Sequence, residues 1–181
     1  MAPAGLIRVV GPTTADDVAL ASFGRRFLAT ILDTLLVSFV ASAVLPFFID
    51  DFQNRALAGM REWYTQLVTG QGTMGADLTH LILITTYAQM AATMVYGLLT
   101  LSLWSRTLGQ RIAGIAVCPA DKGKEKIDWR HAIPRTLLWT VLSQGPSFLV
   151  LIQMVSVSLV LWHPRRQTLP DLIARTQVVR R

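Results

Sequence analysis

Residues 133–162 read IPRTLLWTVLSQGPSFLVLIQMVSVSLVLW, with Arg135 near the start and one interruption, Gln144-Gly145-Pro146, near the middle. Proline removes a backbone donor and disfavours helix for the residue before it, so the stretch reads as two helices, about 128–143 and 147–162. Sixteen residues of helix make about 24 Å, slightly short of a hydrocarbon core about 30 Å thick. Whether these pieces form one kinked span or a hairpin decides on which side of a membrane the chain ends.

The rest of the sequence supplies the membrane. The chain has 181 residues, 52% hydrophobic and only 15% charged, against about 25% charged in ordinary soluble domains. Phe27 to Ile49 follows Arg25 and Arg26, stops at Asp50 and Asp51, and at about 34 Å is long enough to cross. Its length and the polar residues before it argue against a cleaved signal peptide. Leu78 to Trp104 is a second run, whose only ionisable groups are His80, Tyr87 and Tyr96. Trp63, Trp104 and Trp162 fall where interfacial anchors belong.

The net charge of +6 is distributed unevenly. Every Lys and Arg except Arg55 and Arg61 lies before the first run, between residues 105 and 135, or after residue 162. The 50–77 loop carries Asp50, Asp51, Glu62 and Asp77 and is net negative. The positive-inside rule then predicts a cytoplasmic N-terminus, 105–135 segment and C-terminus, with 50–77 outside. Residues 133–162 must enter and return, so a hairpin turning at Gly145 and Pro146 is preferred over a third span with an external C-terminus. The expected architecture is an all-α membrane protein with three to four membrane-embedded helices: two full spans plus a helical hairpin, an outer interfacial amphipathic helix and a small cytoplasmic β element. Residues 1–19 read as a cytoplasmic tail and 20–181 as a single membrane domain.

In the connections, Phe52, Ala56, Met60, Trp63, Tyr64 and Leu67 recur at helical spacing, as in a helix lying in the outer interface. Thr69 to Gly75 reads as a glycine-rich link. Leu108 to Val117 and the terminal Gln177 to Val179 look like short strands able to pair on the cytoplasmic side. No internal repeat stands out.

Four separated motifs carry a resemblance. Arg26, Ala29 and Asp33 are spaced as Arg-x-x-Ala-x-x-x-Asp; Thr107 to Val117 reads TLGQRIAGIAV; Arg135 opens the third stretch; and 165–176 reads RRQTLPDLIART. Over roughly residues 20 to 180 the chain resembles the RDD family of bacterial integral membrane proteins, named for one arginine and two aspartates that map onto Arg26, Asp33 and Asp171. Gln110 stands where the family often has a basic residue, and Pro170 where it often has a histidine. The resemblance implies a bacterial inner-membrane protein, for which ligand transport or cation/proton exchange is the suggested role.

On physical grounds Asp33, about 10 Å inside the first span, is the intramembrane carboxylate that most needs explaining. Arg26 shares its face but lies two turns away, so the expected partners are Arg135, Thr85, Thr86, Gln89 or Gln144. Asp33 is read as a transport carboxylate, as a tie between helices, or as a contact to a partner. Asp171 is expected to latch onto Arg26 or Arg111, fastening the C-terminal strand to the first helix. The candidate polar site is therefore Arg26, Asp33, Arg135 and Asp171, with Gly109, Arg111 and Gly114 as a cytoplasmic motif.

No catalytic residues and no enzyme are expected, because hydrolase, phosphate-loop and dinucleotide motifs are missing from the sequence. Cys118 is the only cysteine, and His80, His131 and His163 are scattered, so neither an intramolecular disulfide nor a metal or other cofactor is expected. The basic clusters adjoin membrane ends and suit lipid headgroups rather than nucleic acid. Two functions remain: a small transporter or cation/proton exchanger using Asp33, with further copies of itself as the expected partner in a homo-oligomer, or a non-catalytic accessory or assembly subunit of a larger membrane complex.

Overall fold

The computed structural model describes residues 12–70 and 74–181. Arg8, most of the 1–19 tail and residues 71–73 of the expected link lie outside the described residues. Helix α1 spans Phe23–Val44, four residues earlier than the apolar run suggests, so Arg25 and Arg26 sit within its first turn. It gives way to a 3-10 turn over Leu45–Phe47 where Pro46 withdraws a donor. Helix α2, Phe52–Val68, has no buried residue and exposes Met60, Tyr64 and Leu67, the amphipathic helix its spacing predicts. Helix α3 runs Ala76–Trp104. Among the described residues, α1 and α3 are the helices long and apolar enough to cross a membrane. Their outer faces expose large apolar side chains such as Leu35, Phe39, Val95 and Leu103.

After α3 the chain departs from the expected strand over 108–117. Leu108–Ile112 is a short helix, α4, and strand β1 begins only at Ile115 and ends at Pro119. The cause is a capping box. Thr107 Oγ1 accepts from the Gln110 amide, and Gln110 Oε1 accepts from the Thr107 amide at 3.1 Å, so the first turn is satisfied locally. Helices α5 (Trp129–Gln144) and α6 (Ser147–Trp162) break at Gly145 and Pro146, as read from the sequence. A short helix α7, Leu169–Ile173, leads into β2, Thr176–Arg180, which pairs antiparallel with β1. The pair of helices is thus a hairpin: α6 brings the chain back to the end of the bundle from which α5 departs.

The structure also reveals the repeat that the sequence reading misses. Thr107, Leu108, Ile112, Ala113 and Val117 recur as Thr168, Leu169, Ile173, Ala174 and Val178, 61 positions later in each case (107 against 168). Both copies build a capping box, a one-turn helix, a left-handed residue (Gly114, φ 64°; Arg175, φ 51°) and a strand. The β1–β2 ladder is centred on the pair Val117 and Val178, which are repeat equivalents, so the two copies are related by a local two-fold through that pair. Each copy follows a helix ending in Leu-x-Leu-Trp, at Trp104 and at Trp162. The halves are therefore α1, α3, α4 and β1, with α2 inserted, and α5, α6, α7 and β2.

The core lies where the sheet meets the ends of these helices. Ala21, Ala29, Leu101, Ile115, Val117, Ala132 and Val178 form one buried cluster. Small residues let the helices approach: a Cβ on Gly97 of α3 would come within 2.7 Å of the Thr136 methyl on α5.

Residues 12–21 pack along the sheet edge. Leu20 bridges to Val179, and the Asp16 carboxylate accepts from the Thr14 hydroxyl and from the amides of Gly123 (2.8 Å) and Lys124 (2.9 Å). The Thr14 hydroxyl first, and then these amides, hold the Asp16 carboxyl at about 2, below its ordinary 3.8. A carboxyl depressed in the folded state contributes stability that is complete above pH 4 and lost as the pH falls through about 2. Pepsin cleavage near residues 12–19 should therefore rise between pH 4 and pH 2. In Asp16→Asn it should already be high at pH 4, and identical cleavage profiles for the two proteins would contradict the assignment.

Candidate functional site

Asp171 is fully buried at the third position of α7, where its Oδ2 accepts the Thr168 amide at 3.1 Å in the second capping box. Two arginines converge on it. Arg26 Nη1 of α1 donates to Oδ2 at 3.0 Å, and Arg135 Nη1 of α5 pairs with Oδ1. The Thr176 hydroxyl of β2 donates to Oδ1 at 3.3 Å and accepts from Arg135 Nη1 at 3.0 Å. Arg26 Nη2 reaches the Val178 carbonyl at 3.4 Å, while Arg26 Nε is buried without a partner among the described residues. One carboxylate thus joins the first helix of each half to the C-terminal strand. Of the two expected latch partners Arg26 is the one engaged, whereas Arg111 is exposed on α4; Arg135 supplies the second cation.

Asp33 occupies a separate network, with none of its anticipated partners. Tyr96 donates its hydroxyl hydrogen to Oδ1 at 2.6 Å, the Gly109 amide donates to Oδ1 at 2.8 Å, and the Thr107 hydroxyl donates to Oδ2 at 2.5 Å. Tyr96 Oη also accepts the Leu108 amide at 2.9 Å. The α4 N-terminus offers unpaired amides and a positive dipole end, which is why it competes so well for this carboxylate. Gly109 is required by space: a Cβ there would lie 2.4 Å from the Ala29 carbonyl and 2.8 Å from Asp33 Cγ. Gly114 supplies the positive φ that turns α4 into β1. Among the anticipated partners, Gln89 instead donates to the Ser38 hydroxyl at 3.2 Å and Gln144 to the Thr93 hydroxyl at 2.8 Å.

Both networks line one cavity of about 440 Å³ between α1, α3, α5 and α6, floored by Thr168 and Asp171. A second cavity of about 430 Å³ opens toward Phe52 at the start of α2, and the two share Gln89 and Gln144. Thr136 Oγ1, Gln144 Oε1 and Gln153 Oε1 are buried on the first cavity's walls without partners among the described residues. No group of three or more metal-ligating side chains occurs among the described residues.

Tyr96 and Thr107 were not singled out by the sequence reading. Thr107 carried a usable signal, the Thr-x-x-Gln spacing of a capping box, whereas Tyr96 carried none beyond its place in an apolar run.

Losing the Asp171 charge leaves two arginines buried against a neutral group, a change that costs about 3–5 kcal/mol. Losing the Asp33 charge weakens three bonds to donors whose partner position is retained, for a smaller cost of about 1.5–3 kcal/mol. In detergent melts followed by circular dichroism, Asp171→Asn should unfold at a lower temperature than Asp33→Asn, and both below the parent chain. The reverse order would refute this division.

The RDD family profile matches residues 20–175, most of the chain and all four of the motifs described above, the last up to Arg175. No curated protein and no solved structure matches. With Arg26 and Asp171 joined across the bundle, Asp33 held on α4, and the match running through all three, the chain belongs to the RDD family of membrane proteins.

Proposed function

We propose that this protein is a small, non-enzymatic transporter of the bacterial inner membrane, moving its solute between the two halves of the repeat. The observation that carries the reading is the pair of cavities meeting at Gln89 and Gln144, with charged groups along the inner one. Transporters built from repeats related about the membrane normal place their sites at the repeat interface, where the inner cavity lies, between α1 and α3 of one half and α5 and α6 of the other. Intramembrane Arg and Asp facing a bundle interior mark solute and ion paths by default. Cation or proton exchange is the form in which Asp33 is the working carboxylate. Lipid is the expected surround, and the N- and C-termini are expected to be cytoplasmic, a placement supported by the distribution of basic residues.

A second reading, an accessory subunit packed against a larger complex, draws support from Asp33 itself. Its oxygens already accept three internal donors, as in a structural tie.

In liposomes carrying an internal pH dye and an imposed sodium gradient, the parent chain should dissipate the gradient faster than empty liposomes do, and Asp33→Asn should abolish the excess. Equal rates in all three would count against transport; co-purification of a defined complex after gentle extraction would then favour the accessory role. Orientation is tested by labelling an Arg181→Cys variant in intact cells with a membrane-impermeant maleimide. Cys118 is buried, and burial pushes its thiol up to about 11, so it stays silent. Labelling is expected only after the membrane is opened; efficient labelling of intact cells would reverse the orientation.

A further inference from the structure

We propose that the inner cavity binds an organic monoanion, its oxyanion group held by Arg26 and Arg135 and its apolar body lying along the walls. The inference rests on the transport reading only in placing the site on that path.

The first support is charge. Asp171 neutralises one of the two arginines that hold it, and its two oxygens are occupied by Arg26, Arg135, the Thr168 amide and the Thr176 hydroxyl. Two guanidiniums therefore meet one carboxylate at the cavity floor. The second carboxylate lining the cavity, Asp33, makes the whole formally neutral, but it is two turns along α1 from Arg26, about 10 Å away, and is held there by Tyr96, Thr107 and Gly109. The arginine end is locally positive, and a bound anion is its complement.

The second support is unfilled hydrogen bonding. Arg26 Nε and Thr136 Oγ1 are buried, have no partner among the described residues, belong to side chains lining this same cavity, and can each donate to an oxyanion. Thr136 is 5% exposed. Leaving such donors unpaired costs free energy that a ligand with acceptor oxygens recovers, and charge-assisted bonds from a guanidinium to carboxylate or phosphodiester oxygens are among the strong ones.

The third support is the shape of the remainder. Val37, Leu101, Trp139, Val150 and Val157 supply apolar wall, and about 440 Å³ suits a body of several carbons. A free carboxylate and an anionic lipid headgroup share this chemistry.

Benzoate is a suitable probe, with benzamide as its uncharged match. Binding is read by the fluorescence of Trp139 in a variant whose other tryptophans are phenylalanine, held in phosphatidylcholine nanodiscs. Saturable quenching by benzoate and none by benzamide is expected. Arg26 and Arg135 hold the fold together, so the decisive variant is Thr136→Val, with Gln153→Leu as the control, since its unpartnered atom is an acceptor that the anion cannot use. Each should melt no lower than the parent, because it removes an unsatisfied polar group, and Thr136→Val alone should weaken benzoate binding, at least fivefold. If phosphatidylglycerol nanodiscs raise the melting temperature in the parent but not in Thr136→Val, and abolish benzoate quenching, the occupant is a lipid phosphodiester. Equal responses to benzoate and benzamide, or unchanged benzoate affinity in Thr136→Val, would overturn the proposal. Benzoate binding with no gradient dissipation would sink the transport reading alone; dissipation without benzoate binding would sink this inference alone.

Discussion

The buried carboxylate of Asp171 is the constraint around which this molecule is arranged. A charge with no exposure needs counter-charge and hydrogen bonds from every side, and here they come from α1, α5, the α7 amide end and β2. Meeting those demands fixes the start of the first helix of each half against the C-terminal strand. The sheet follows, because β2 held in that position lies against β1 with Val117 opposite Val178. Buried ion clusters contribute little net stability compared with well-packed apolar groups, so the cluster is better understood as setting geometry.

The repeat gives this geometry a rationale. Each half ends in a capping box, a one-turn helix and a strand, yet the halves use the element differently. In the first copy the α4 N-terminus receives a carboxylate from α1, Asp33, and the third helical position is Gln110. In the second copy that third position is itself the carboxylate, Asp171, and it reaches out to the arginines. One acid is thus held by a helix end and the other is offered from one. This asymmetry within a symmetric frame places Arg26, Arg135 and Asp33 around a common cavity, with unequal ends.

Much of this was legible in the residues. Apolar run lengths marked α1 and α3, the Gly145-Pro146 break marked the hairpin, and the opposed placement of basic and acidic residues required the chain to return, which the β1–β2 pairing shows it does. The Asp171 to Arg26 contact was also foreseen. The misses have physical causes. Leu108–Ile112 looked like strand because its small and apolar residues suit either state, and only the Thr107 and Gln110 side chains, by closing the cap, decide for helix. Asp33 takes the hydroxyl of Tyr96 from the second span and two donors from α4, the Thr107 hydroxyl and the Gly109 amide. The α4 donors lie beyond the spans and are brought to Asp33 only by long-range packing of α4 on α1, which local residue pattern does not encode. Arg135 was named as a site residue, but its pairing with Asp171 depends on α7 packing against α5, a long-range contact that periodicity does not encode.

Hydrogen–deuterium exchange of Asp171→Asn in lipid nanodiscs, compared with the parent chain, tests most directly whether one carboxylate organises both halves. Protection is predicted to fall together in three places distant in sequence: β2 at Thr176–Arg180, the first turns of α1 around Arg26, and the first turns of α5 around Arg135. Loss confined to α7 and β2, with both helix starts unchanged, would contradict the account.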